Sequence, residues 1–260
     1  MTTATQILNI ARNEIGVRES PAGSNRTKYG SDYGWNGVAW CAIFIWWIFH
    51  QAGADNLLPM KTASCWQLMD AAKKKGLWVT SGFRSGDILI YDFPSGSSVD
   101  HTGICESVSG NSVTTIEGNT GVGNDANGGM VMRRTRKLSQ VKGAVRPRYD
   151  AEKSVFLIAQ EVVNGEWGNG DKRVERLTAA GYRPAEVQTF VNALCKGGIR
   201  IQITASVLNV REKPSTVSEI LDRLMNGSVL AVSEIKGGKG ASAWGRINNG
   251  WISLDHVAVL

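Results

Sequence analysis

The chain has 260 residues, of which 42% are apolar and 20% charged, with 30 glycines. These values exclude a disordered chain and describe a loop-rich globular protein of two or three domains, each with a modest core. The net charge of +6 is spread, with 16 basic against 12 acidic residues up to Asp150 and 13 against 11 beyond it. This excess is too weak to indicate nucleic acid, and it suits either ordinary solubility or attraction to an anionic surface.

The N-terminus, MTTATQILNIARNEIG, alternates polar and apolar residues at helical spacing and lacks a basic segment followed by an unbroken apolar one. No secretory signal is read there, so the expected product is made in the cytosol. Helical patterns cover 5–15, 41–52 and 64–75, and the most apolar run, 40–49, is too short to span a bilayer. Strand-like runs follow: GDILIYDF at 86–93, HTGICESV at 101–108, NSVTTIEGN at 111–119 and VKGAVRPRY at 141–149. Helices followed by strands predict an α+β domain over 1–150.

From 151 to 196 the spacing is helical again. VFLIAQEVVNG, KRVERLTAAG closing on Gly181 and PAEVQTFVNAL opening at Pro184 predict a small three-helix bundle. From 197 to 260 short alternating runs broken by glycine predict a small all-β barrel, with Gly197-Gly198 as the linker. The four cysteines, Cys41, Cys65, Cys105 and Cys195, form no CxxC pair, which argues against zinc and for reduced thiols.

The chemistry centres on WCAIFIWWIFHQAG, 40–53. A cysteine at the first turn of a helix meets unpaired N–H groups and the positive end of the helix dipole, which favour the thiolate. Those N–H groups are also placed to receive an oxyanion. A cysteine nucleophile needs a histidine base, and the chain has three histidines. His50 lies nine residues along the same helix, on its far side, and His256 belongs to the C-terminal barrel, which leaves His101. The strand from His101 turns at Ser109-Gly110-Asn111 and returns to bring Glu117 and Asn119 beside it on one face. Either can hold the imidazole by its other nitrogen: Glu117 suits an imidazolium, while Asn119 can orient the ring or bind the oxyanion.

The stretches TKYGSDYGWNGVAWCAIFIWWIFHQAG at 27–53, GDILIY at 86–91, DHTGICESV at 100–108 and IEGNT at 116–120 resemble the CHAP (cysteine, histidine-dependent amidohydrolase/peptidase) domain over roughly 5–149. The resemblance implies a papain-like fold that cuts peptidoglycan, with Cys41 as nucleophile, His101 as base, Glu117 as orienting acid and Asn119 as a site amide. Some members carry a calcium loop upstream of the nucleophile. Here Asp32 is the one carboxylate between Ser20 and Cys41, so neither calcium nor any other metal or cofactor is expected. AQEVVNGEWGNGDKRVERLTAAGYRPAEVQTFVNAL at 159–194 resembles a single copy of the CW-seven type of wall-binding repeat, with Arg173, Arg176 and Tyr182 as candidate muropeptide contacts beside Trp167. LNVREKPS at 208–215 and WGRINNGWIS at 244–253 are similar to bacterial Src-homology-3-like wall-targeting domains, with Trp244 and Trp251 as candidates for a binding groove or for the barrel core.

Together the three resemblances imply a phage or prophage endolysin. It would be a monomer whose partners are peptidoglycan and its anionic polymers, with neither nucleic acid nor membrane insertion, and it would act on the wall after release at lysis. An N-acetylmuramoyl-L-alanine amidase is favoured by family analogy, with an endopeptidase as the alternative and a catalytically inactive wall-adhesion or virion structural protein as the reading from another class.

Overall fold

The computed structural model describes residues 2–93 and 99–260; the turn-rich stretch FPSGSSVD at 93–100, which precedes His101, falls mostly on 94–98, outside the described residues. The chain forms two compact units, Met1–Asp150 and Ala151–Leu260.

The first unit holds helices α1 (Ala4–Asn13), α2 (Lys28–Tyr33), α3 (Cys41–Gln51) and α4 (Cys65–Lys74), then strands β1 (Trp78–Val79), β2 (Ile88–Tyr91), β3 (His101–Ser109), β4 (Ser112–Thr120), β5 (Met130–Lys137) and β6 (Val141–Val145). The strands make one antiparallel sheet in the order β1-β6-β2-β3-β4-β5. Helices α2 and strand β5 were not among the sequence-based expectations. The run MVMRRTRK of β5 carries four basic residues in eight, which masks its alternation, and it closes the sheet at an edge where charge is tolerated.

Helix α3 is the centre of the core. Every residue from Cys41 to Phe49 is buried, because the helix is covered by α1, α2, β3 and β4. Tyr29 of α2 stacks on Trp40 at 5.3 Å and meets Phe44 and Trp47 edge-on at 5.2 and 5.0 Å, while its hydroxyl donates to Glu14 at 2.6 Å. A polar tip satisfied at the edge of an aromatic cluster lets this tyrosine be buried completely. Thr3, Thr27 and Ser64 cap α1, α2 and α4, whereas α3 starts from Trp40 with no side-chain cap. The first-turn N–H groups of α3 therefore lack the side-chain partner that α1, α2 and α4 have.

The second unit contains α5 (Val155–Val163), α6 (Gly170–Ala179) and α7 (Pro184–Cys195), followed by β7 (Ile199–Ile203), β8 (Val207–Arg211), β9 (Ile220–Met225), β10 (Val229–Val232), β11 (Glu234–Gly238), β12 (Ala241–Ile247), β13 (Gly250–Ser253) and β14 (Val257–Val259). The strands form sheets β10-β7-β14 and β11-β12-β13-β8-β9. Ile158, Val162, Leu177, Val187 and Val191 make the small core shared by the helices. Phe156, Leu157 and Phe190 also pack on the strand core around Ile199, Ile201 and Ile235, and Ile235 N–H donates to Gln160 at 3.0 Å. Helices and strands of this unit thus share buried surface.

Candidate active site

Cys41 stands at the first residue of α3 and is 5% exposed. His101 begins β3, and Glu117 lies near the end of β4; both are fully buried. His101 Nε2 and Glu117 Oε2 are 3.1 Å apart. Among the described residues, Nδ1 of the same ring, also buried, has no other hydrogen-bond partner, which leaves it as the nitrogen that faces Cys41.

The pairing of His101 with Glu117 depends on a defect in the hairpin. The turn is tight, with Ser109 opposite Ser112, and that register continued unbroken would put His101 opposite Thr120 and Glu117 on the other face. A bulge between Cys105 and Ser107 shifts the register by one, so that Ile104 faces Ile116. Gly103 then lies against Glu117: a Cβ there would sit 2.5 Å from Glu117 Cγ. The missing side chain leaves Glu117 the room to reach along the sheet to His101. Its neighbour Gly118 faces the other way, where a Cβ would be 2.6 Å from Phe44 Cβ on α3.

The sequence reading left Glu117 and Asn119 as alternatives, and the structure brings Glu117 to the histidine. Asn119 adopts a left-handed φ of +56° beside a second irregularity, between Glu117 and Thr120. Its amide nitrogen donates to Asn127 at 3.0 Å, and its Oδ1 accepts from Gly129 N–H at 3.4 Å. Asn119 thus ties down the loop after β4, whose residues Gly121, Val122 and Asn127 line a cleft with Arg18, Glu19 and Met130.

A residue that the sequence reading did not find completes the cluster. Arg136 of β5 is 4% exposed and donates to both carboxylate oxygens of Glu117, at 3.0 and 2.6 Å, and to Thr120 at 3.3 Å. Its other side pairs with Asp125 at 2.7 Å, and the guanidinium lies over the Phe93 ring at 5.0 Å. Thr115 donates to Glu117 Oε1 at 2.6 Å. A fork that matches a carboxylate edge is a reason for arginine rather than lysine here.

Electrostatics follow from these contacts. Burial works against an ionised Glu117, but the hydrogen bonds and charges of His101 and Arg136 outweigh it and hold the carboxyl down at about 2. Burial also opposes a charged His101, and is overcome by Cys41 and Glu117, which lift the imidazole to about 9. Cys41 is held well below the ordinary thiol range, first by a hydrogen bond from Cys65 and then, against burial, by His101 and the N–H of Ala42. The two sulfurs are 3.6 Å apart. Cys65 is pushed up by Cys41, by burial and by the charge of Asp100, so the anion resides on Cys41. A thiolate beside an imidazolium, at a helix start with uncapped N–H groups, is equipped to attack a carbonyl and to receive the oxyanion that results.

The other titratable candidates stand apart. His50 stacks on Trp46 at 4.6 Å and shares Asp55 at 3.1 Å, and Asp32 accepts from Trp47 Nε1 at 2.7 Å. Cys105 is raised to about 12 by burial and by Asp87 and Glu106. Among the described residues no three His, Cys, Asp or Glu side chains gather into a group able to hold a metal. No helix among them is long and apolar enough to cross a membrane.

In the second unit, Arg173 is engaged by Gly168 O at 2.8 Å and Asn169 at 2.7 Å, fixing the start of α6. Arg176 lies over Trp167 at 5.5 Å, and Trp167 meets Tyr182 edge-on at 6.2 Å. Tyr182 donates to Lys153 O at 3.1 Å. These residues form one surface cluster with an exposed guanidinium. Trp244 and Trp251 do not form an open groove: they are 1% and 5% exposed although they lie on the face of β12 and β13 opposite the core residues Ala243, Ile247 and Ile252, and Lys236 and Arg246 cover Trp251 at 5.2 and 5.5 Å.

Comparison with known proteins matches the CHAP domain to residues 32–119, the CW_7 repeat to 157–195 and the bacterial SH3 domain to 206–258. A lysozyme of Streptococcus phage Cp-7 is 48% identical over 42 residues, which is 16% of this chain and 12% of that protein's length. Two solved structures align at a TM-score of 0.36 and 16% identity. They are Ly7917, over 97% of this chain and 92% of that one, and the wild-type endolysin LysIME-EF1, over 58% and 67%. Arg136 lies beyond the end of the CHAP match. From its N-terminus, the chain carries a CHAP domain, a CW_7 repeat and a bacterial SH3 domain, in that order.

Proposed function

We propose that this chain is a cysteine-dependent peptidoglycan hydrolase of the endolysin type. The observation that carries the reading is the buried line Cys41, His101, Glu117 and Arg136, built on a CHAP domain and followed by two modules of wall-binding families. Cys41 is the nucleophile, His101 its base and later the acid that protonates the leaving amine. Glu117 holds the imidazole, and Asn119 shapes the cleft rather than the histidine. The Cys41 thiolate attacks an amide carbonyl, the uncapped N–H groups of α3 take the oxyanion, and water hydrolyses the acyl-enzyme.

The catalytic unit is papain-like in the sense that a nucleophile helix packs against an antiparallel sheet supplying the base. The domains are 1–150, 151–196 as a three-helix wall-binding repeat, and 197–260 as a barrel. By family analogy the bond cut is that of an N-acetylmuramoyl-L-alanine amidase, with the stem or cross-bridge as the alternative. The wall-facing candidate in the helical repeat is the Arg176–Trp167–Tyr182 cluster, which offers a cation and an aromatic edge to a muropeptide. The enzyme acts as a monomer on the wall after release at lysis.

The test is digestion of purified peptidoglycan, with Cys41→Ala alongside and products read by mass spectrometry. Intact stem peptides with a free N-terminal alanine identify an amidase, and new termini inside the stem or bridge an endopeptidase. Equal digestion by Cys41→Ala overturns the nucleophile assignment, and no product from any wall tested favours an adhesion protein.

A further inference from the structure

We infer that Cys41 and Cys65 are a disulfide-forming pair, in which Cys65 traps an oxidised Cys41 and protects it from irreversible damage. The sulfurs of the two residues are in contact at 3.6 Å, although 24 residues separate them in the chain. Each is the first residue of its helix, α3 for Cys41 and α4 for Cys65, so the two helix starts converge on one point. Both thiols are free, and both retain a little exposure, 5% and 7%. A small oxidant can therefore reach a sulfur that a much larger carbonyl substrate must reach. A disulfide bond is about 2.05 Å long, so closure needs an approach of about 1.5 Å, within the range of side-chain rotation and slight helix movement.

The oxidant is a peroxide. The Cys41 thiolate attacks one peroxide oxygen and the O–O bond breaks. The other oxygen leaves as hydroxide, takes a proton from the imidazolium and becomes water, and Cys41 is left as a sulfenic acid. The sulfur of Cys65 then attacks the sulfenic sulfur, the S–S bond forms as the S–O bond breaks, and the thiol proton leaves with the hydroxyl as a second water. Two thiols are oxidised by two electrons and one peroxide is reduced to two waters. A dithiol reverses the reaction by exchange. Without Cys65, the sulfenic acid meets further peroxide and proceeds to the sulfinic acid, which a dithiol does not restore. The pairing of the two sulfurs stands on geometry; access of the oxidant and the effect on activity rest on the hydrolase reading.

The test uses the full-length protein with Cys195→Ser, which removes the exposed thiol. Samples are treated with stoichiometric hydrogen peroxide, alkylated and digested with trypsin, which separates 29–61, carrying Cys41, from 62–73, carrying Cys65. A cross-linked pair of these peptides is expected in the majority of molecules. Wall clearing should fall at least tenfold and return to nearly its starting value with dithiothreitol. In the Cys65→Ser variant, normalised to its own untreated clearing, the loss should persist after dithiothreitol, with Cys41 recovered as sulfinic acid. Absence of the cross-link, or equal recovery by the variant, overturns the proposal. A cross-link that leaves clearing unchanged upholds the pair and overturns the role of Cys41 in hydrolysis.

Discussion

Arg136 is the residue on which the geometry of the site makes its sharpest demand. In Arg136→Met a side chain of similar length replaces the guanidinium, leaving Glu117 with no exposure and, among the described residues, only His101 and Thr115 as side-chain partners. Breaking a buried ion pair by removing one partner costs about 3–5 kcal/mol. The Glu117 carboxyl points the same way, being held down at about 2 against burial by His101 and Arg136 together. For a unit of this size about 2–4 °C accompany each kcal/mol, so Tm should fall by about 6–20 °C.

Tryptophan fluorescence during thermal unfolding of the full chain is the assay, since six of the nine tryptophans lie in the first unit. Glu117→Gln with Arg136→Met should be less destabilised than the sum of the two single variants, by about 1–3 kcal/mol. Because the Glu117 carboxyl is depressed, its stabilisation is present above 4.5 and is lost as pH falls towards 2, so the gap between wild type and Arg136→Met should narrow over that window. A loss below about 3 °C, strict additivity in the double variant, or a gap independent of pH would refute the argument.

The raised His101 yields a second expectation: kcat/KM on soluble muropeptide should decline above about pH 9, where the imidazolium that protonates the leaving amine disappears. Stabilisation from that charge has the corresponding sign, present below 6.5 and lost as pH rises through about 9. Glu117→Gln should move the alkaline limb towards neutrality, and an unmoved limb would disconnect Glu117 from the base. Gly103→Ala should cost about 1–3 kcal/mol and depress turnover more than tenfold by pushing Glu117 off His101; turnover within twofold of wild type would show that the carboxylate has other room. A chain ending at Asp150 should keep turnover of soluble muropeptide and lose co-sedimentation with walls, and retained sedimentation would place wall affinity in the first unit. Ending instead at Lys196 strips the strand core from Phe156, Leu157 and Phe190, and a measurable fall in helical content on mild heating is expected.

What the sequence alone determined is local. The apolar run after Trp40 specifies a helix that must be buried, a cysteine at its start specifies a thiol biased towards the anion, and elimination among three histidines leaves His101. Those inferences need only residue type and spacing. The choice between Glu117 and Asn119, which alternation puts on one face, is made by the room beside Gly103 that lets Glu117 reach the ring and by the left-handed Asn119 that spends its amide on Asn127 and Gly129. Arg136 lay on a strand whose charge concealed it, and its meaning appears only where β5 docks beside β4. Trp244 and Trp251 show the same limit, since an aromatic residue in an alternating strand reads identically whether its face is covered or open. Contacts between residues distant in sequence carry free energy that no local pattern encodes, and in this protein they decide which residue serves the histidine, what keeps that carboxylate ionised and which thiol stands beside the nucleophile.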